Sequence, residues 1–181
     1  MRTAYIGMGG NLASWAGAPE ATLVAARSRL GSLGQVASQT SLYRTAPVGF
    51  AAQPDFVNAV VALETELAPR ELLDGLLAIE EEFGRDRTAG IANGPRTLDL
   101  DILLLGDLRF CEPGLEVPHP RLADRLFVLL PLNEIASDVI VPGYGKTVAE
   151  LLVCLLEDAQ VLLDAPVRLQ REDWDSVAGQ G

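Results

Sequence analysis

Leu98-Asp99-Leu100-Asp101-Ile102-Leu103-Leu104-Leu105 is an apolar run with two carboxylates set into it, and the fold is read outward from there. On a strand, side chains two apart share a face. Leu98, Leu100 and Ile102 therefore turn toward a core, while Asp99 and Asp101 point together the other way. Asp is disfavoured inside strands, and a carboxylate pair taken out of water is costly without a compensating cation. A spacing of roughly 7 Å along the strand lets their oxygens converge on cations about 3.5–4 Å apart. Oxygen-only ligands favour Mg2+, which completes its octahedron with water and substrate phosphate. A solvated strand edge is the alternative that the Asp-x-Asp pattern alone leaves open.

The flanks of this strand are basic in an otherwise acidic protein, whose net charge is −11. Residues 84–97 hold three glycines, Pro95, Arg85, Arg87 and Arg96, with Ile91 the single large apolar residue. Such a stretch cannot pack a core of its own and is expected to be a long mobile catalytic loop. Guanidinium forks suit phosphate oxygens, whereas an ordinary loop needs no such set. Downstream, Val117-Pro118-His119-Pro120-Arg121 holds the one histidine between prolines, with Arg125 close behind. Paired carboxylates beside arginines on a loop describe a phosphoryl-transfer site closed by a lid. A single His makes no Ser-His-Asp or Cys-His case, and no Walker loop is present. The organic half of the site is assigned to Thr45-Ala46-Pro47-Val48, Phe56, Asn58 and Phe127. An amide reads a heterocycle's donor and acceptor edge, and aromatic rings stack on it; taken singly, both phenylalanines also suit a core.

Further out, residues 3–8 read as a strand leading to a Gly9-Gly10-Asn11 turn. Pro19 opens a helix to about Leu33, and 36–45 and 55–66 read as strands around a loop at 46–54. Pro69 at an N1 position and Leu72, Leu76, Ile79 and Phe83 at helical spacing predict a second helix, ended by Gly84. Helices are predicted near 121–135, with Pro131 kinking or breaking it, and over 147–156, followed by a short strand at 157–163. The order βαββαβ predicts an α+β, ferredoxin-like core with a mainly antiparallel sheet. The expected division is one domain over 1–160 and a tail over 161–181, loose from about 171, with Trp174 free to dock.

Bulk properties narrow the classes. With 49% hydrophobic and 22% charged residues the 181-residue chain is globular rather than disordered. It has no basic run for nucleic acid and no apolar run near the roughly 20 residues of a membrane span. Its start shows no signal peptide, and Cys111 and Cys154 lack any metal or disulfide spacing, so a cytoplasmic protein with reduced thiols is expected. No exposed apolar helix stands out, and a monomer is the default expectation.

Five stretches resemble the 6-hydroxymethyl-7,8-dihydropterin pyrophosphokinase family: AYIGMGGNL (4–12), SLYRTAPVGFAAQPDFVNAVVALET (41–65), IEEEFGR (79–85), GPRTLDLDILL (94–104) and VPHPRLADRLFVLLPLNEIA (117–136). They keep the family's order over most of residues 4–152, and GPRTLDLDIL followed by VPHPRL is a specific combination. The resemblance implies a ferredoxin-like α+β fold and transfer of pyrophosphate from ATP to the pterin hydroxymethyl group. It implies that Asp99 and Asp101 bind two Mg2+ ions and that Arg85 and Arg96 steady the transferring group. It places Glu80, Arg87, Ile102, His119, Arg121 and Arg125 at the nucleotide. The pterin is implied between Phe56 and Phe127, read by Asn58 and by Thr45, Ala46 and Val48. Departures from the family are Gly10 in place of Ser, Asn93 where some members carry Trp, and Gly114-Leu115-Glu116 where some carry a basic residue. Another two-metal transferase, releasing pyrophosphate rather than AMP, and a non-catalytic ferredoxin-like module are the competing readings.

Overall fold

The computed structural model describes residues 1–47, 52–87, 94–157, 165–169 and Trp174. The central strand β1 (Arg2–Gly10) pairs antiparallel with β4 (Phe56–Thr65) on one side and with β5 (Asp99–Leu105) on the other. Beyond β4 lie β2 (Gln35–Gln39) and β3 (Tyr43–Thr45), which pair with successive parts of it, and β10 (Val167–Arg168) adds to β3. With α1 (Pro19–Leu30) and α2 (Pro69–Glu82) as the crossovers, this is the antiparallel βαββαβ sheet of a ferredoxin-like fold.

Strand alternation builds two cores, one on each face of the sheet. Ile6, Met8, Val57, Val61, Leu98 and Leu100 face α1 and α2, packing with Leu23, Leu30, Leu72 and Leu76. Val60, Leu103 and Leu104 face α3 (Leu126–Ala136) and α4 (Val148–Leu156), with Leu129, Leu132 and Leu152. Adjacent residues Leu103 and Leu104 share one core because the β1–β5 register slips between Tyr5 and Ile6, so that β5 contributes one extra residue there. Leu104 is fully buried, and truncating such a side chain to Ala costs about 2–5 kcal/mol.

Several expectations are corrected. The strand predicted over 36–45 is two, because the Thr40 hydroxyl, not a backbone carbonyl, accepts the Val60 amide at 3.0 Å. Gly9 and Gly10 continue β1 instead of turning, paired with Asn58 and Val57. The helix expected from 121 begins at Leu126: the preceding segment is tied back to the sheet by His119 N donating to Leu103 O at 3.0 Å. Pro131 lies inside α3 without ending it, although its ring removes the bond that Phe127's carbonyl would accept. The hairpins β6 (Phe110–Glu112) with β7 (Leu115–Val117), and β8 (Ile140–Val141) with β9 (Lys146–Thr147), were not anticipated. Glu157, where the strand at 157–163 was expected to start, caps α4 instead, and the rest of that stretch and the middle of the 84–97 loop fall outside the described residues.

Candidate active site

The face of the sheet that carries α3 and α4 is only partly covered, and the candidate side chains stand on its open end. Alternation puts Thr45, Phe56 and Asn58 there from β3 and β4, and Asp99 and Asp101 from β5. Between these strands β1 contributes Gly7 and Gly9, so the floor of the cleft is bare backbone. A Cβ on Gly9 would stand 2.7 Å from Asn58 Oδ1, and one on Gly7 3.2 Å from a Leu103 methyl. Arg96, Arg125, His119 and Phe127 line the walls.

Asp99 is held by two arginines. Arg85 Nη1 lies 3.1 Å from Oδ1, and Arg96 Nη2 lies 3.0 Å from Oδ2. The same Arg85 nitrogen donates to Leu98 O at 2.9 Å, and the Arg96 guanidinium sits 4.8 Å over the Phe56 ring. Arg96 Nε is buried without a partner among the described residues, a donor left to spare. Asp101 faces His119, whose Nε2 is 4.0 Å from Oδ2. Arg121 N donates to His119 Nδ1 at 3.1 Å, so the neutral ring carries its proton on Nε2, toward the cleft. Burial first, then the neighbouring Asp99, push the Asp101 carboxyl above the usual range, opposed by His119, Arg125 and Arg96. Burial lowers His119, while Asp101 pulls it back up.

Asn58 Nδ2 donates to Thr45 Oγ1 at 2.7 Å, which fixes the amide and leaves its oxygen toward Gly9. Arg125 lies 5.4 Å over the Phe127 ring. Glu80 is 1% exposed, accepting from Leu100 N at 2.7 Å and from Arg87, and it does not line the cleft. Ile102 packs in the core under α2, on the opposite face. Ala46 and Arg121 are exposed nearby in the chain, and Val48 and Asn93 lie outside the described residues.

Sequence reading missed Asn11. Its Oδ1 accepts from Arg96 N at 2.8 Å, and its Nδ2 donates to Gln53 Oε1 at 3.0 Å and Pro54 O at 2.9 Å. One buried side chain thus ties both loops bordering the cleft to the end of β1. The available signal was an Asn directly after a glycine pair.

Among the described residues no three or more His, Cys, Asp and Glu side chains gather as a closed metal cluster. Two carboxylates on one open face nonetheless fit a hard cation that keeps waters and takes phosphate oxygens. Burial raises the Asp101 carboxyl most, and repulsion from Asp99 adds to it; such a cation relieves that repulsion.

Residues 5–137 match the family described as 7,8-dihydro-6-hydroxymethylpterin-pyrophosphokinase. The Haemophilus influenzae 2-amino-4-hydroxy-6-hydroxymethyldihydropteridine pyrophosphokinase is 43% identical over 154 residues, covering 84% of this chain and 92% of that protein. The chain belongs to this family. The Pseudomonas aeruginosa protein of the same name is 45% identical over 150 residues, covering 82% of this chain and 88% of its own length. Among solved structures, a Plasmodium falciparum HPPK-DHPS superposes with a TM-score of 0.71 at 15% identity, a likeness in fold alone. That alignment covers 93% of this chain and 49% of the other, so the chain spans about half of that protein.

Proposed function

We propose that this protein is the ATP-dependent pyrophosphokinase of its family, acting in folate biosynthesis. It transfers pyrophosphate from ATP to the hydroxymethyl group of 6-hydroxymethyl-7,8-dihydropterin, leaving AMP and the pterin diphosphate. The observation that carries this reading is the placement of Asp99, paired with Arg85 and Arg96, directly across Gly9 from the Asn58–Thr45 pair. On this reading phosphate chemistry and heterocycle recognition share one cleft.

On this reading Asn58 and the backbone around Thr45, Ala46 and Val48 read the pterin edge, with Phe56 and Phe127 against its faces. Arg85 and Arg96 neutralise charge on the transferring group, and the spare Arg96 Nε–H supplies a further donor. His119, through its outward Nε2–H, and Arg87, Arg121 and Arg125 hold nucleotide phosphates, with Glu80 and Ile102 supporting that end. Asp99 and Asp101 would hold two Mg2+ ions, which when bound would offset the negative charge of the phosphates. The hydroxymethyl oxygen attacks the β-phosphorus in line and AMP departs, so no enzyme nucleophile is required. The chain acts as a monomer in the cytoplasm; among the described residues no helix is long and apolar enough to cross a membrane.

The test is product analysis after mixing the protein with Mg-ATP and 6-hydroxymethyl-7,8-dihydropterin. AMP and pterin diphosphate, both lost in Asp99→Ala, are expected. Pyrophosphate release would instead assign a nucleotidyltransferase, and folded protein giving neither product would overturn the reading.

A further inference from the structure

We propose that Arg168, on the C-terminal strand β10, is a positioning residue for the pterin half of the site. The inference rests on the function proposed above. β10 lies beyond residues 5–137, the part that matches the family, and no role for it follows from that match.

The connection is a straight row across the sheet. Arg168 is opposite Tyr43, Tyr43 opposite Asn58, Asn58 opposite Gly9, and Gly9 opposite Asp99. Directly opposed residues share a face, so Arg168 projects on the side where Asn58 and Asp99 stand. There it meets α3. Arg168 Nη2 donates to Glu134 Oε1 at 3.0 Å, and its Nε donates to Ser41 Oγ at 2.9 Å. Glu134 also accepts from Ser41 N at 3.0 Å, Ser41 Oγ at 3.0 Å and Tyr43 Oη at 2.9 Å. The main chain adds Leu169 N donating to Leu42 O at 2.8 Å.

This clip reinforces a join between two walls of the cleft that Ser41 and Tyr43 already make directly with Glu134. β3 is three residues long and carries Thr45, the partner of Asn58. α3 begins beside Phe127 and carries Glu134 two turns further on. A strand so short, paired with β4 alone, would be a poorly held edge. β10 makes it internal, and Arg168, bonded to both Ser41 and Glu134, braces the Ser41 and Tyr43 bonds that hold it to α3.

The Arg168 side chain is 60% exposed, so its loss is tolerated by the fold and the readout is kinetic. In the full-length protein Arg168→Leu is expected to raise KM for the pterin roughly three- to tenfold. KM for ATP and kcat should stay put, and Arg168→Lys should recover most of the loss. Glu134→Gln, whose single amide oxygen can keep the bonds from Tyr43 Oη and Ser41 N while its NH2 group faces Arg168, should shift the same KM. An unchanged pterin KM in an active enzyme overturns this inference alone. So does a parallel loss in kcat and both KM values, which would mark a general structural defect. A wild-type protein that makes no AMP removes the functional reading, and this inference with it.

Discussion

Arg96 is the residue on which the two halves of the cleft meet. It pairs with Asp99 at 3.0 Å, covers Phe56 at 4.8 Å, and has its backbone pinned by Asn11 at 2.8 Å. If Arg85 and Arg96 stabilise charge that develops during transfer, Ala at either position should lower kcat on the order of 100-fold or more, with little change in pterin affinity. Steady-state kinetics decide it: weaker binding with turnover preserved would assign them to the ground state. Tyr43 offers a test by pH. Burial first, then the hydrogen bond to and charge of Glu134, push its phenol up to about 12, against the pull of Arg168. The folded value lies above the unfolded value of about 10, so the native state holds this proton more tightly. The stability it contributes is intact below pH ~10 and is lost as pH rises toward 12. Difference titration of the phenolate absorbance, wild type minus Tyr43→Phe, should show a late-ionising group, and one ionising near 10 would refute it. Asp99 and Asp101 were legible because carboxylates at alternate positions stand out in an apolar strand. Asn11 was not, since an Asn after two glycines reads equally well as a turn, and only three-dimensional closure shows which loops it joins.

Among the elements, α2 and β5 are coupled through a buried charge. Glu80, near the end of the helix, accepts the Leu100 amide at 2.7 Å and binds Arg87. Burial raises its carboxyl above the usual range, while Leu100 and Arg87 pull it back. Glu80→Ala would strand the Leu100 N–H in the interior, and chemical denaturation should show a loss of about 1–3 kcal/mol. An unchanged midpoint would mean that water or another acceptor takes over. The longer elements were readable from periodicity: α2 from its leucine spacing and N1 proline, and β5 and β4 from continuous apolar runs. The two hairpins were not, because strands of two or three residues are too short to display a period. The start of α3 was misjudged because Leu122 is apolar and fully buried, yet belongs to the turn before the helix.

For the molecule as a whole, β10 and Trp174 belong to the packing. Trp174 is 2% exposed, lies in the core with α1, donates its indole N–H to Thr40 O at 2.9 Å, and has Arg27 over its ring at 5.7 Å. Trp174→Ala should therefore cost about 3–5 kcal/mol, read as a lowered denaturation midpoint. A loss within measurement error would mean that Trp174 docks only loosely in solution.

The glycine floor carries a consequence for resistance to inhibitors. A compound resting on Gly7 and Gly9 touches peptide atoms that every amino acid possesses. Substitution there cannot withdraw a contact; it can only add atoms. The added atoms crowd Asn58 and Leu103 and shrink the space open to the natural ligand as well. Escape variants should then arise on the walls of the cleft, leaving its base unaltered.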